Sequence, residues 1–420
     1  MVAYCSVSRS RLAAPKCLAR FASCVLFAWG GLRDMRLGIL TQPLHTNYGG
    51  LLQAFALQKY LRDELGHDVL TVDYTRKPKA WLAPYRLVRR CVAKFVLRRS
   101  VTLFPKSHPQ GSGKLTQRFI DENIRTTKKI FAPARKRDFA EYDFDAFVVG
   151  SDQTWRPAYS PYMPTFFLDF LGEDIKTRRV AYASSFGKDE WEFSPEMTKI
   201  CAPLAKRFHA ISVREDSGIE LCKKYLDVPA EHVIDPTMLL SKEDYYAIVE
   251  RDEERGFLEK RSPEKRLFAY VLDEAPEKKS LIADVATRVG LSVEEIMPKR
   301  EVLQSGKASY PPVSAWLRGF RDAEFVVTDS FHGCVFSIIF NKPFIAIGNA
   351  GRGMSRFHSL LKMFGMEDRL VLLKEGKGDL NGRILSLVVE KIDWEQINAA
   401  RAKEQSRSHM FLKEALEIKS

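Results

Sequence analysis

The chain lacks the cysteine and histidine patterns that bind metals or build disulfide frameworks. Its seven cysteines include no CxxC pair and no metal-ligand spacing, and no HExxH sequence occurs. We therefore predict no bound metal and a reducing compartment. The sequence also contains no GxGxxG and no GxxxxGK followed by Ser or Thr, which argues against a dinucleotide fingerprint and a P-loop. No resident cofactor is predicted.

No apolar run of membrane-spanning length occurs either. The apolar stretch Ala22–Trp29 is too short to cross a bilayer. It lies in an Arg-rich, acid-poor segment, residues 1–34, that loosely resembles a signal peptide. Because the first core strand is predicted directly after Met35, we interpret residues 1–34 as a disordered or wrongly assigned N-terminal extension.

The positive charge is concentrated in two segments. The net charge is +13, but Arg76–Arg118 contains twelve Lys or Arg and no Asp or Glu, and residues 1–34 contain five Lys or Arg against one Asp. Together these segments exceed the net charge of the chain, so the remainder is slightly acidic. A basic total is typical of nucleic-acid binding, but this distribution argues against it, and we predict no nucleic-acid partner.

Part of the basic segment has helical periodicity. Within Tyr85–Arg99 the apolar residues share one face, and the opposite face carries Arg86, Arg89, Arg90 and Lys94. A membrane-surface helix has this pattern, and so does a helix that packs on its own domain with a solvated basic side. Both interpretations stay open. The first predicts contact with an anionic membrane surface.

From Met35 onward, short β-rich runs alternate with amphipathic helical windows, as in parallel sheets covered by helices on both faces. The predicted strands are Leu37–Thr41, Val69–Asp73, Ala146–Gly150, Val180–Ser184, Ala210–Val213, His232–Asp235, Leu267–Leu272, Ser292–Ile296, Glu324–Thr328 and Phe344–Ile347. The predicted helices include Gly49–Leu65, Pro195–Phe208, Glu277–Val289, Val313–Arg321 and Phe331–Phe340. This order predicts an α/β protein.

We predict two domains. The first covers residues 35–240, with the basic stretch 76–118 as an insertion. Residues 241–265 are charged and poorly hydrophobic, which favours a solvated helix and a linker. The second domain covers residues 266–393, and a helix over residues 394–420 is placed to pack back across the domains.

The sharpest local feature is the predicted strand that ends in Asp329-Ser330-Phe331-His332-Gly333 and passes directly into an apolar helix. Ligands bind outside the carboxyl ends of strands in open α/β sheets, and a helix N-terminus attracts anions. His332 can act there as a general acid, and Asp329 can cap the helix or orient the imidazole. A helix cap with an incidental histidine is the alternative.

Arg214 leaves the carboxyl end of another predicted strand. A guanidinium at this place can bind a carboxylate or phosphate through two parallel hydrogen bonds. A salt bridge to Glu215 or Asp216 is the alternative.

Two further segments follow predicted strands. Asn47-Tyr48-Gly49-Gly50 allows close approach of backbone to a ligand or another chain, although this pattern alone is weak. Ser151, Asp152 and Trp155 suit a sugar, but Trp155 can equally pack into its own domain. Asp143-Phe144-Asp145 formally matches a DxD metal motif, but it precedes a strand, so we interpret it as a turn.

Five motifs, taken in order, resemble those of the polysaccharide pyruvyl transferase family over about Met35 to Met366. They are Asn47-Tyr48-Gly49-Gly50, Val149-Gly150-Ser151-Asp152, Ser212-Val213-Arg214-Glu215, Asp235-Pro236-Thr237 and Asp329-Ser330-Phe331-His332-Gly333. The resemblance implies two Rossmann-like domains in a glycosyltransferase-B-like arrangement with an interdomain cleft. It also implies metal-independent transfer of the enolpyruvyl carbons of phosphoenolpyruvate to sugar hydroxyls as a ketal.

The resemblance assigns the residues to two substrates. Arg214 and His332 face the donor from opposite domains, with His332 as candidate acid and Asp329 as a third catalytic candidate. Many family members carry an Arg where this chain has Ser330, and Arg352 and Arg356 are candidates to replace that charge. The expected donor contacts are Arg214, Ser330, His332, Gly333, Arg352 and Arg356. The expected acceptor contacts are Asn47, Tyr48, Gly49, Gly50, Ser151, Asp152 and Trp155.

The implied function is pyruvyl transfer to a lipid-linked or polymeric sugar in bacterial cell-surface polysaccharide biosynthesis. It predicts a cytoplasmic protein, at the inner face of the membrane if the basic segment binds there. Two other functions stay open, namely a nucleotide-sugar glycosyltransferase of similar fold and a non-catalytic glycan-assembly protein. Donor binding separates the first two, and the third predicts no loss when His332 becomes Ala.

Overall fold

The structure is a computed structural model that describes residues 34–77, 113–259, 264–296, 310–348, 353–373 and 377–417. Several predictions fall outside the described residues. They are the N-terminal extension apart from Asp34, the greater part of the basic insertion, the segment Tyr85–Arg99, and Arg352.

Thirteen strands are described. They are β1 (Arg36–Leu40), β2 (Asp68–Thr71), β3 (Tyr74–Thr75), β4 (Ile130–Phe131), β5 (Ala146–Val149), β6 (Arg178–Ser184), β7 (Ala210–Val213), β8 (Glu231–His232), β9 (Arg266–Tyr270), β10 (Ser292–Glu295), β11 (Ala323–Thr328), β12 (Phe344–Ile347) and β13 (Leu370–Val371). All the described ladder pairings are parallel.

Eleven α-helices accompany them in the described part of the chain. They are α1 (Tyr48–Asp63), α2 (Lys114–Asn123), α3 (Pro195–Ala205), α4 (Ser217–Leu221), α5 (Lys242–Glu254), α6 (Pro276–Val289), α7 (Val313–Asp322), α8 (Phe331–Ile339), α9 (Ser355–Phe364), α10 (Lys377–Val389) and α11 (Trp394–Leu416). None of these helices is long and apolar enough to cross a lipid bilayer.

The strands form two main sheets. The first has the order β2-β1-β5-β6-β7-β8, and the second has the order β10-β9-β11-β12-β13. Strands β5 and β12 are buried along their whole length, because helices cover both faces of each parallel sheet. This architecture confirms the predicted fold class.

Both sheets belong to one contact unit, Met35–Ser420. Their helices share a hydrophobic core that joins Tyr48 of α1 to Trp316 of α7, whose rings stack 5.8 Å apart. The Tyr48 hydroxyl also donates to the carbonyl oxygen of Pro311 at 2.9 Å. The boundary near residue 240 stays a prediction, although the first sheet ends at β8 and the second begins at β9.

The stretch 241–265 forms a helix where one was predicted, but the helix is not solvated on all sides. Tyr245, Ile248 and Val249 of α5 are buried, and α5 packs on α7 of the second sheet. The buried carboxylate of Asp252 accepts hydrogen bonds from Arg118 at 2.5 Å and from the Ser314 hydroxyl. The charged composition concealed the apolar face with which this helix packs.

Helix α11 packs back on the first sheet, as its position after the second sheet suggested. The Arg178 guanidinium donates to the Ala415 carbonyl oxygen at 2.9 Å, and the Ser408 hydroxyl accepts from the Ile234 amide at 3.3 Å. Arg401, buried at the start of the same helix, donates to the Leu240 carbonyl oxygen at 2.5 Å. The helix therefore completes the half of the molecule that comes first in the sequence.

Candidate functional site

The candidate site lies where the carboxyl ends of strands from both sheets meet. Ser151 and Asp152 follow β5, Arg214 follows β7, and His332 stands in the first turn of α8 just after β11. Parallel strands gather their carboxyl ends at one edge, and this edge is where open α/β sheets bind ligands. The topology thus brings together residues that are far apart in the sequence.

Arg214 and Asp235 form a buried ion pair at the centre of this region. The Arg214 Nη1 atom lies 2.9 Å from Asp235 Oδ2, and its Nε atom lies 3.2 Å from Glu215 Oε1. Only 1% of the Arg214 side chain is exposed. Burial alone would lower the pKa of Arg214, but the charges of Glu215 and Asp235 outweigh it and raise this pKa. The guanidinium is permanently charged.

Asp235 connects this pair to His332 from the other sheet. The distance from His332 Nε2 to Asp235 Oδ2 is 3.7 Å, and Asp235 Oδ1 accepts from the Thr237 hydroxyl at 2.7 Å. Burial alone would raise the pKa of Asp235, but the interactions with His332 and Arg214 hold it well below its ordinary value. A buried, ionised carboxylate therefore lies close to the imidazole.

The opposite side of the imidazole packs against Gly49, in the first turn of α1. A Cβ atom added at Gly49 would overlap the His332 ring at Nδ1 and Cγ. Any larger residue here would displace the ring, so glycine is required by close approach rather than by backbone conformation. The imidazole is held between Gly49 and Asp235, both of which come from the first sheet or its helices.

A second arginine, Arg356, approaches from α9 and lines the cleft. Its guanidinium carbon lies 5.9 Å from the centre of the Phe331 ring, while the Arg214 guanidinium carbon lies 4.4 Å from the same ring. Burial, with a further contribution from the Arg214 charge, lowers the pKa of Arg356 to about 10. The charge of Arg214 is balanced by Glu215 and Asp235, whereas Arg356 lines the cleft as a buried cation.

Two adjoining cavities open at this place. The smaller cavity, about 360 Å³, is lined from both sheets and includes Ser330, His332 and Arg356, which were predicted to contact a donor, so we call it the donor-side cavity. The larger cavity, about 570 Å³, is lined by residues of the first half, among them Gln42, Gly50 and Arg76. Because Gly50 was predicted to contact an acceptor, we call it the acceptor-side cavity. Both cavities share the residues His45, Asn47, Asp152, Gln153 and Tyr159. A molecule in one cavity can therefore touch a molecule in the other.

Asp329 does not perform the role predicted for it. Its carboxylate accepts from Lys278 Nζ at 2.6 Å and from the Leu272 amide at 2.7 Å, both in the second half of the chain. The helix cap is instead Ser330, whose hydroxyl accepts from the Gly333 amide at 3.4 Å. Asp329 therefore neither orients His332 nor caps α8, because its side chain turns back toward α6.

The residues predicted to bind the acceptor separate into three groups, of which only the first lines the acceptor-side cavity. Asn47, Gly50 and Asp152 line the acceptor-side cavity, and the Asn47 amide donates to the Asp152 carboxylate at 3.4 Å. Asp152 holds a left-handed backbone, φ 66°, which aims its side chain at the junction of the cavities. Tyr48 and Gly49 instead pack on residues that follow the second sheet's strands. They belong to the contact between the halves as much as to a binding surface.

Ser151 and Trp155 do not reach a cavity. The buried Ser151 hydroxyl donates to Asp235 Oδ2 at 3.2 Å, which places it in the ion cluster. Trp155 is fully buried, stacks on Phe167 at 4.9 Å and donates from its indole to the Phe166 carbonyl oxygen. Of the two interpretations of Trp155, packing into its own half is the one that the structure supports.

Sequence reasoning left out Asp235 and His45. Asp235 follows β8 and opens one of the five motifs, so its position after a strand was the available signal. His45 lines both cavities, and burial lowers its pKa although Asp152 acts in the opposite direction. Among the described residues, no group of three His, Cys, Asp or Glu side chains is arranged to hold a metal ion.

Comparison with known proteins gives one family and one fold. The family model described as polysaccharide pyruvyl transferase matches residues 47–351. The UDP-GlcNAc 2-epimerase from Methanocaldococcus jannaschii is 11% identical with a TM-score of 0.53, covering 90% of this chain and 99% of the epimerase. This likeness shows a shared fold only.

Two other solved structures are less similar. The UDP-GlcNAc 2-epimerase from Neisseria meningitidis bound to UDP-GlcNAc is 9% identical with a TM-score of 0.49, covering 90% of this chain and 99% of that one. The glycotransferase of kitacinnamycin is 12% identical with a TM-score of 0.40, covering 91% and 100%. No curated protein matches this chain by sequence.

Proposed function

Since the chain belongs to the polysaccharide pyruvyl transferase family, we propose that it transfers a pyruvyl group from phosphoenolpyruvate to hydroxyls of a bacterial surface sugar. The supporting observation is the pairing of a small cavity that contains Arg356 and His332 with a larger one across Asp152. Phosphoenolpyruvate carries a carboxylate and a phosphate on three carbons, so it suits the smaller cavity. A sugar suits the larger one.

Arg356 and His332 are the donor-side groups in this proposal. Arg356 lines the cavity, where its charged guanidinium faces the anionic groups of the donor. Arg214 lies behind Phe331 and holds Asp235 in place, so it acts on the donor through Asp235 and through its charge. Arg356 therefore supplies the charge that Ser330 does not.

The chemistry follows from these positions. Protonated His332 gives its proton to the donor methylene carbon, which becomes a methyl group and leaves an oxocarbenium-like centre at the adjacent carbon. A sugar hydroxyl attacks that carbon and gives its proton to Asp152 at the junction of the cavities. The carbon–oxygen bond to phosphate then breaks, and phosphate leaves with the electron pair. A second hydroxyl attacks the same carbon and gives its proton to the neutral His332, which closes the ketal and restores the acid. Cations near the leaving phosphate stabilise the charge that develops on it.

Asp235 is a positioning residue in this scheme. It touches neither cavity, but its ionised carboxylate lies 3.7 Å from His332 Nε2 and orients the imidazole beside the donor-side cavity. The proposal needs no metal in any step and no redox cofactor, since the bonds made and broken balance without them. It also places the protein in the cytoplasm, where phosphoenolpyruvate is made.

Thermal unfolding of the full chain with phosphoenolpyruvate tests the donor. We expect phosphoenolpyruvate to raise the melting temperature of the wild type, and this shift to disappear in Arg356→Ala. Arg401→Ala is the matched control, because Arg401 is an equally buried arginine outside the cleft. The shift should persist in that variant.

A panel of nucleotide sugars, measured beside phosphoenolpyruvate, separates the alternatives. Stabilisation by a nucleotide sugar alone would contradict pyruvyl transfer and favour a glycosyltransferase of similar fold. Release of phosphate from phosphoenolpyruvate in the presence of candidate acceptor sugars tests the chemistry, and His332→Ala should abolish it. Unchanged phosphate release in His332→Ala would contradict the assigned acid.

A further inference from the structure

A third cavity, remote from the ion cluster, carries a concentrated positive charge. It measures about 520 Å³ and opens on the first half of the molecule beside β4. Its lining includes five exposed cations, which we call the basic face: Lys77, Lys128, Lys129, Arg135 and Arg137. Neither the proposed reaction nor the family motifs use these residues.

Intramolecular carboxylates balance only part of this charge. Lys128 pairs with Glu141 at 2.6 Å, and Lys129 lies 3.8 Å from Asp73. In the described part of the chain, no carboxylate pairs with the side chains of Lys77, Arg135 or Arg137. The lining also contains Asp138 and Glu141, so its five cations exceed its two carboxylates by three, and this excess favours an anionic partner.

An exposed aromatic ring lies within the same lining. Phe131 of β4 is 41% exposed, although it follows the buried residue Ile130 in the same strand. Aromatic side chains beside lysine and arginine are typical of surfaces that sit at the boundary between lipid headgroups and acyl chains. A free polyphosphate offers no apolar layer for such a ring.

The basic face adjoins the acceptor-side cavity along the chain. Strand β3 pairs in parallel with β4, and the two residues that follow β3 line different cavities. Arg76 lines the acceptor-side cavity, whereas the next residue, Lys77, lines the basic face. A partner at the basic face is therefore close to the mouth of the acceptor-side cavity.

We propose that the basic face docks on the surface of a bilayer that contains anionic lipids, with Phe131 entering the headgroup boundary. The neighbouring residues 78–112 are themselves basic, with eight Lys or Arg and no Asp or Glu, so their charge cannot neutralise this face. Docking presents the acceptor-side cavity to lipid-linked substrates at the membrane. The docking itself does not depend on the proposed reaction, but this consequence does.

Vesicle co-sedimentation of the full chain tests the proposal. We expect binding to phosphatidylcholine vesicles that contain phosphatidylglycerol, weak binding to phosphatidylcholine alone, and loss of binding as salt is added. Arg135→Glu with Arg137→Glu should weaken the affinity by at least about tenfold. Lys199→Glu with Lys403→Glu is the control, since it makes the same charge change at exposed lysines elsewhere and should bind nearly as the wild type.

Phe131→Ala provides a second, independent variant. It leaves the charge unchanged and should weaken vesicle binding several-fold, while the thermal shift with phosphoenolpyruvate stays as in the wild type. The arginine variant should also keep that shift, which separates docking from donor binding. Circular dichroism of each variant establishes that it is folded.

Three results of the vesicle experiments would overturn the proposal. They are equal binding of the wild type to both kinds of vesicle, unchanged binding of the arginine variant, and an equal loss in the lysine control. Saturable binding of inorganic pyrophosphate at the basic face without any vesicle binding would also overturn it, and would assign the face to a free phosphate compound.

Discussion

Two buried aspartates occupy comparable places in the two sheets, and they have different partners. Asp235 follows the last strand of the first sheet, and Asp329 follows the central strand β11 of the second; each is at most 2% exposed. Asp329 is satisfied within its own half by Lys278 and backbone amides. Asp235 faces His332 across the contact between the halves. Asp329 therefore stabilises the second half of the chain, whereas Asp235 connects the two halves beside His332, the proposed acid.

The difference shows that nearness in sequence is a poor guide to pairing. Asp329 is three residues before His332, but it precedes the helix cap, and its side chain points back to the loop after β9. Asp235 is distant in sequence and reaches the imidazole because β8 and β11 present their carboxyl ends to each other. The following variants test this contrast.

The largest effect is expected from Asp235→Asn. In the proposed proton transfer, the neutral amide no longer presents a negative charge to the His332 imidazole, so turnover should fall about a hundredfold to ten-thousandfold. Phosphate release from phosphoenolpyruvate with an acceptor sugar measures it, and the dissociation constant of the donor should change much less. A variant that turns over at the wild-type rate would remove Asp235 from the mechanism.

Asp329→Asn should lower the stability of the protein rather than its turnover number. It leaves the buried Lys278 ammonium without its carboxylate, which should lower the free energy of unfolding by about 3–5 kcal/mol. Urea denaturation measures this loss. The folded fraction should keep its turnover number, and a loss of turnover as large as that of Asp235→Asn would end the distinction between the two aspartates.

Gly49→Ala should disturb the contact between His332 and Asp235 and leave the contacts of Asp329 unchanged. The added methyl group displaces the His332 ring, at a cost of about 1–3 kcal/mol in stability and with reduced turnover. Gly382→Ala is the matched control, since Gly382 lies in α10 outside the cleft and a Cβ atom there meets no atom within 4 Å. Equal losses in the two variants would contradict the assigned contact with His332.

The smallest expected effect is on the stability of the protein at acidic pH. The folded-state pKa of Asp235 lies below its unfolded value of 3.8, so its contribution to stability is complete above that value and is lost as the pH falls below about 4. Urea denaturation at a series of acidic pH values should therefore show a shallower decline in Asp235→Asn than in the wild type. Identical declines would mean that His332 and Arg214 do not stabilise the ionised carboxylate.

The strands were predictable because they are short apolar runs. Ala210–Val213 and Phe344–Ile347 have the predicted bounds, and Ala146–Val149 differs by one residue. Such runs, buried on both faces, leave few alternatives. Strands β3, β4 and β13 were missed, because each has only two residues and depends on its neighbour in the sheet.

The site was predictable as a place and less so as a set of contacts. Arg214, His332 and Arg356 come together because the carboxyl ends of parallel strands must meet. Their partners depend on how the two halves pack, which no local pattern records. Trp155 illustrates the limit, since its position after a strand suits both a sugar and a core, and only the surrounding Phe166 and Phe167 decide for the core.

Helix α11 carries a consequence for the order in which the protein folds during synthesis. Its residues leave the ribosome after every described strand of both sheets, but its Arg401, Ser408 and Ala415 contact the first half. The half that is translated first therefore exposes the surface that contacts α11 until α11 has been synthesised. Nascent chains stalled before residue 394 should be sensitive to proteases in the first half, even though all its strands have been made.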